Sequence, residues 1–233
     1  MTINEQKQAL RKQVAALKRA HTPEALEELS AEALARLETL DAFQSAACVA
    51  LYHALPGEVQ TAEFLGRWYG HKQLLLPIVQ GDDLVLRPYA GPDSLHKGAY
   101  DIWEPSVDAS ATDAPRPDLI IVPGIAFDRQ LNRLGRGRGY YDRLLSDLTL
   151  PCIGLAFAFQ LFDHIPVDAH DRRMTAVVTD TEVIRGERRK TQADTMKIQR
   201  VKIVTFSSLF ILLCLQVVWS VYTYKEQCVC KQN

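Results

Sequence analysis

The chain has 233 residues, 47% of them hydrophobic and 24% charged, with a formal net charge of -1. That composition belongs to a globular protein with a full core and excludes a mostly disordered, collagen-like or polytopic membrane chain. Residues 187–233 hold 8 Lys and Arg against 3 Asp and Glu, leaving 19 against 25 in residues 1–186, and so acidic a body excludes general nucleic-acid binding.

Met1 to Ala20 is charged and amphipathic, without the apolar stretch of a secretory signal. Ile3, Leu10, Val14 and Leu17 recur at helical spacing and predict a first helix. Thr22 followed by Pro23 supplies a cap and a Pro at the first helical position, so a second helix should run to about Leu40 with Leu26, Leu29, Ala33 and Leu37 on one face. Strands are predicted at 47–52, 74–77 and 84–86, with a helix from Thr61 to Tyr69 between the first two. The stretch 91–117 is rich in Pro, Gly, Asp and Ser and reads as a long loop. Strands follow at 119–122, 152–157 and 176–179, with a helix from about Arg138 to Leu148. Continuous apolar strands alternating with helices predict an α/β domain over 1–186: a mostly parallel sheet in a three-layer α/β/α arrangement. Cys48 and Cys152 sit in apolar runs and suit a reducing compartment.

The chemistry concentrates in Arg133-Leu134-Gly135-Arg136-Gly137-Arg138-Gly139-Tyr140-Tyr141-Asp142. Alternate glycines let a backbone approach a ligand closely, and a following helix start with arginines attracts phosphate. The spacing is neither Walker A nor the dinucleotide fingerprint. A flexible basic surface loop is the competing reading, weakened by the position after strand 119–122, because ligands bind at the carboxyl ends of parallel strands. Lys7 and Arg11 share one face of the first helix, and Glu58 follows the Pro56-Gly57 turn at a strand end. Taken singly, these would be a solvated stripe and an ordinary turn carboxylate. Asp142, in the first turn after the glycines, is either a metal-seeking carboxylate or a partner of the helix dipole.

The run Val122 to Asp128, followed by Arg133 to Asp142, closely resembles the 5-formyltetrahydrofolate cyclo-ligase family, also called 5,10-methenyltetrahydrofolate synthetase. Lys7 and Arg11 resemble its Lys-xxx-Arg pair, and Pro56 to Thr61 resembles its Pro-x-Glu-Val-x-Thr turn. The resemblance covers about residues 3–185. It implies ATP-dependent cyclisation of 5-formyltetrahydrofolate, with ATP as co-substrate and Mg2+ as metal. It assigns ATP contacts to Lys7, Arg11, Arg133, Leu134, Gly135, Arg136, Gly137, Arg138, Gly139, Tyr140 and Tyr141. Folate contacts fall to His53, Glu58, Arg136, Gly137, Arg138, Gly139 and Tyr140. The metal falls to Asp142 and to Asp171, which follows His170. No covalent nucleophile is assigned, because neither Cys48 nor Cys152 has a neighbouring His or a loop setting. Two positions depart from the pattern: Leu131 stands where relatives often have Gly, and Met174-Thr175 where many have Met-Asp. They keep open a binding module that has lost catalysis.

The tail lies beyond this pattern. Ile203 to Tyr222 is 20 residues without a charge, twelve of them Leu, Ile, Val or Phe. They supply about -4 to -7 kcal/mol of insertion energy, partly offset by Gln216 and four hydroxyl residues. A C-terminal apolar helix is expected there. It would be a tail anchor leaving the enzyme cytosolic, a contact to another subunit, or a non-native extension. A membrane-tethered interaction protein on the same scaffold is the third functional class. Cys228 and Cys230 alone are weak grounds for a site. The expected protein is a cytoplasmic monomer acting on small molecules.

Overall fold

The apolar runs form the middle of one sheet because both faces of each are covered. In the computed structural model, which describes residues 1–98, 102–106, 115–146, 148–168 and 171–186, seven strands lie side by side. In spatial order they are β12 (Val183–Arg185), β11 (Ala176–Val178), β9 (Cys152–Leu155), β6 (Leu119–Pro123), β1 (Cys48–Ala50), β2 (Gln73–Gln80) and β3 (Asp83–Pro88). Every central pairing is parallel, while β3 and β12 are antiparallel edges. Gly81, at φ 63, makes the turn that folds β3 back on β2.

Alternation along the strands divides the core in two. Val49, Leu74, Leu76, Leu119, Ile121 and Ile153 pack with Ala33 and Leu37 of α2 (Pro23–Glu38), Phe43 of α3 (Asp41–Ser45) and Phe64 of α4 (Ala62–Trp68). On the other face, Ala50, Leu75, Ile120, Val122 and Val177 pack with Leu145 of α5 (Tyr140–Ser146). Thr22 caps α2 as expected, its Oγ1 accepting the Ala25 N–H at 3.3 Å.

A smaller sheet carries the site. β7 (Ala126–Asp128) lies between β10 (Leu161–Phe162) and β8 (Arg133–Leu134). Helix α1 (Ile3–Arg19) packs here, with Val14 against Ala126, Leu134 and Ile165. Ile3 remains 48% exposed, so the apolar stripe of α1 is narrower than its spacing suggests. The fully buried Asp128 accepts the Gln130, Asn132 and Ile165 backbone N–H groups and the Asn132 side-chain amide, which locks the turn between β7 and β8. Inside that turn Leu131 has φ 68. A left-handed Leu costs about 1–2 kcal/mol, and burial of its side chain in the α5-side core offsets that cost.

Several boundaries differ from expectation. The 91–117 stretch is not wholly loop: β4 (Leu95–Lys97) pairs with β5 (Trp103–Pro105). The helix expected from Arg138 begins at Tyr140, because Gly139 sits at φ 71, and it ends at Ser146 rather than Leu148. Strands β1 and β9 are shorter than the runs 47–52 and 152–157. The compact unit comprises Met1–Gly186. The apolar helix expected at 203–222 lies outside the described residues. Among the described residues no helix is long and apolar enough to cross a membrane.

Candidate functional site

The chain runs from β1 outward through β2 to β3, then crosses to the other side of β1 and continues through β6 outward. The switch point therefore lies between β1 and β6, where loops leaving the two strands diverge and open a crevice. The loop after β1 carries His53 and Glu58, and the loop after β6 leads to the glycine run. Together with α1 they line a cleft of about 1280 Å³. All fifteen residues singled out in the sequence line it, from Lys7 and Arg11 through Arg133–Asp142 to Asp171. Neither Leu131 nor Thr175 does. Thr175 instead bonds the Cys152 backbone with its hydroxyl.

Local chemistry explains each placement. Pro56 and Gly57 occupy the two central positions of a turn closed by the Glu58 N–H donating to the Leu55 carbonyl at 3.0 Å, and Gly57 supplies the φ of 76 that such a turn needs. Glu58 Oε2 accepts the Leu55 N–H at 3.1 Å, and its Oε1 accepts from Arg136 Nη2 at 2.8 Å. On α1, Asn4, Lys7, Gln8 and Arg11 follow helical spacing and turn one polar face to the cleft. Arg11 Nε donates to the Gly135 carbonyl at 2.9 Å. A Cβ on Gly137, at φ 100, would stand 3.3 Å from the Arg11 guanidinium, so the bare backbone there admits the arginine.

Lys7, Arg133 and Arg136 are held by carboxylates of the cleft itself. Lys7 Nζ lies 2.8 Å from Asp168 and 2.7 Å from Asp171. Burial lowers the Lys7 pKa, but its hydrogen bonds and charge contacts with the two aspartates outweigh that and hold it above the ordinary lysine value. Arg133 Nη2 donates to Asp142 at 2.8 Å, and the arginine side chain is only 4% exposed. Arg133 is therefore a wall of the cleft, stacked 5.5 Å over the Tyr141 ring, rather than an open clamp. Its buried Nε has no hydrogen-bond partner among the described residues. Arg136, half exposed, retains an open face.

Asp142 and Asp171, the expected metal ligands, are thus each paired with a cation. No group of three or more His, Cys, Asp or Glu is assembled for a metal among the described residues. Their donor chemistry nonetheless suits Mg2+, which takes one or two carboxylates and completes its shell with phosphate oxygens and water.

Burial pushes His53 below the ordinary histidine value and so favours its neutral form, against a backbone hydrogen bond at Ala54. Its ring lies 6.3 Å from the Trp103 ring. Burial pushes the Cys48 and Cys152 thiols up, and neither lines the cleft.

The sequence reading missed Asn4, Gln8, Glu104, Arg143 and Asp168. The two amides were signalled by their spacing to Lys7 and Arg11. Arg143 fastens α5 to the β2–β3 turn, reaching Asp83 Oδ1 at 2.9 Å and the Asp82 carbonyl. It also stacks 5.4 Å over Tyr140. Glu104 gave no local signal.

A model of the 5-formyltetrahydrofolate cyclo-ligase family matches residues 3–180. The chain belongs to that family. The cyclo-ligase of Escherichia coli strain K12 is 32% identical over 175 residues, which are 71% of this chain and 96% of that one. The NMR structure of Aquifex aeolicus 5,10-methenyltetrahydrofolate synthetase aligns with TM-score 0.68 at 34% identity, covering 80% of this chain and 98% of that chain. The 5,10-methenyltetrahydrofolate synthetase of Mycoplasma pneumoniae, at TM-score 0.58 and 24% identity, covers 75% of this chain and 98% of its own, and shares the fold. Every cleft-lining residue, from Asn4 to Asp171, falls inside the matched cyclo-ligase segment.

Tyr52 and Tyr141 are expected to make the cyclo-ligase cleft sensitive to alkali. Burial, then the Glu58 charge, raises both phenols; Arg133 lowers Tyr141 by less. A folded pKa above the unfolded value near 10 gives stability that is complete below pH 10 and lost as pH rises toward the folded value. Each phenol then removes up to about 1.4 kcal/mol per pH unit. Tyr141→Phe should show a shallower fall in urea midpoint between pH 10 and 11 than the parent. Parallel falls would mean that the Tyr141 hydroxyl is solvated.

Proposed function

We propose that the chain catalyses the ATP-dependent cyclisation of 5-formyltetrahydrofolate to 5,10-methenyltetrahydrofolate, releasing ADP and phosphate. The observation that carries this reading is the convergence of the glycine-arginine loop, the Lys7–Arg11 face of α1 and Glu58 on one cleft at the switch point. The formyl oxygen is a poor leaving group. It attacks the γ-phosphorus, the bond to ADP breaks, and the oxygen becomes a phosphate ester. The nitrogen at position 10 then attacks the activated carbon, gives up its proton, and phosphate departs with the carbon–oxygen electron pair.

The chain's part is positioning and charge neutralisation. Arg136 and Arg138 reach phosphate oxygens from the loop, the glycines Gly135, Gly137 and Gly139 let its backbone come close to them, and Lys7 and Arg11 close from α1. At seven residues α5 contributes little dipole, so these groups carry the anion. Glu58 and His53 contact the folate, and Tyr140 and Tyr141 offer ring faces. Asp142 and Asp171 would hold Mg2+, which neutralises charge developing on the transferred phosphoryl group. We assign the reaction to residues 1–186, acting in the cytoplasm as a monomer.

The test is the full chain with 5-formyltetrahydrofolate, ATP and magnesium, followed by the near-ultraviolet absorbance of the methenyl product. ATP- and EDTA-sensitive product is the expected result. A folded chain that binds ATP and makes no product would reduce the reading to a binding module. The two departures that suggested such a module, Leu131 and Thr175, both lie outside the cleft lining.

A further inference from the structure

Among the described residues five carboxylates line the cleft, and four are matched to cations: Glu58 to Arg136, Asp142 to Arg133, and Asp168 and Asp171 to Lys7. Glu104 is the fifth. Among the described residues it has no ion pair, and it is only 6% exposed. One long bond, from the Val79 N–H to its Oε1 at 3.3 Å, is its recorded hydrogen bond. The fold makes room for it: a Cβ on Gly98 would stand 2.1 Å from Glu104 Oε2, so the residue that follows β4 leaves space for the carboxylate. Around it the cleft wall is apolar, with Pro77, Val79, Leu84 and Ile102. A buried carboxylate with one weak donor, on an apolar wall, is costly unless a ligand supplies donors.

We infer that Glu104 reads the amino-pyrimidinone edge of the pterin ring. This rests on the proposed folate reaction. That edge presents a ring N–H and an exocyclic amino N–H side by side, a coplanar donor pair matched to a carboxylate, as a guanidinium is. Adenine cannot substitute, since its exocyclic amino group is flanked by acceptor nitrogens. The phosphates cannot approach, because Glu104 would repel them. Glu104 thus fixes the orientation of the substrate, with the pterin against the apolar wall and the formyl group turned toward the glycine loop. Glu58, whose two oxygens are already engaged by Leu55 and Arg136, is the poorer candidate for this edge.

The experiment compares 5-formyltetrahydrofolate with its 2-desamino-2-methyl analogue on the full chain, in the parent and in Glu104→Gln. The parent should bind the analogue about 10- to 100-fold more weakly, the range of charge-assisted hydrogen bonds. Glu104→Gln should lose most of that discrimination and raise the folate KM, leaving the ATP KM within about threefold of the parent's. A parent that does not discriminate overturns the inference without any variant. So does a Glu104→Gln protein that keeps both the discrimination and the folate KM. If the parent turns nothing over, the reaction fails as a reading, and equilibrium binding of the two folates still tests Glu104.

Discussion

Arg136→Ala is expected to lower kcat/KM for ATP by about 100-fold, since charge-assisted hydrogen bonds to phosphate contribute about 1.5–3 kcal/mol. Arg136 is the loop arginine whose side chain is half exposed, at 51%, while it holds Glu58 at 2.8 Å. It can turn to a phosphate without breaking the core. The same change strands Glu58, whose side chain is 8% exposed, and should cost about 1–2 kcal/mol of stability, at the low end because water screens the arginine. The two effects separate in the double variant. Adding Glu58→Gln removes the charge that needed a partner, so the melting temperature should recover while the ATP defect persists. Wild-type ATP kinetics in a folded Arg136→Ala protein would take Arg136 out of phosphate contact.

Gly154→Ala should cost about 3 kcal/mol, at the upper end for overpacking. The fully buried Phe127 ring passes between two backbones: a Cβ on Gly154 would lie 2.4 Å from its edge, and one on Gly124 would lie 2.6 Å away. That ring wedges β7 of the small sheet against β6 and β9 of the large one. Displacing it should shift the Asp128 turn and the glycine loop beyond it, so activity should fall along with the melting temperature. Phe127→Leu combined with Gly154→Ala should restore part of the stability, because the smaller side chain vacates the space. Equal losses in the single and double variants would mean that the clash is relieved elsewhere.

How much of this was legible depended on burial and range. Strands β1, β6, β9 and β11 were visible because both faces are covered and the apolar run is unbroken. The start of α2 was visible because Thr22-Pro23 is a local signal. The small sheet was not: β8 and β10 are two residues long, too short for any periodicity. The β4–β5 hairpin hid in a stretch whose Pro, Gly and Ser content signals turns, since three-residue strands are outweighed by their neighbours. In the site, the glycine-arginine run declared itself because the residues are contiguous. The pairings did not. Lys7 meets Asp168 across 161 positions and Arg136 meets Glu58 across 78, and nothing local to either partner encodes that reach. The burial of Arg133, expected as an ATP contact, was not legible because it comes from tertiary packing.

The matched pairs in the cleft change what kind of ligand it can select. Among the described residues six lysines and arginines line it against five carboxylates, a formal charge of only +1 that gives an approaching ion little long-range pull. Selection has to happen at contact, by exchange of countercharges. A bare polyanion that drew Lys7 and Arg133 to itself would take the countercharge away from Asp171 and Asp142. On the proposed reaction, a nucleotide arriving with its own divalent ion would bring Asp142 and Asp171 a replacement countercharge, and electroneutrality would then act as a filter against free phosphate and other simple anions.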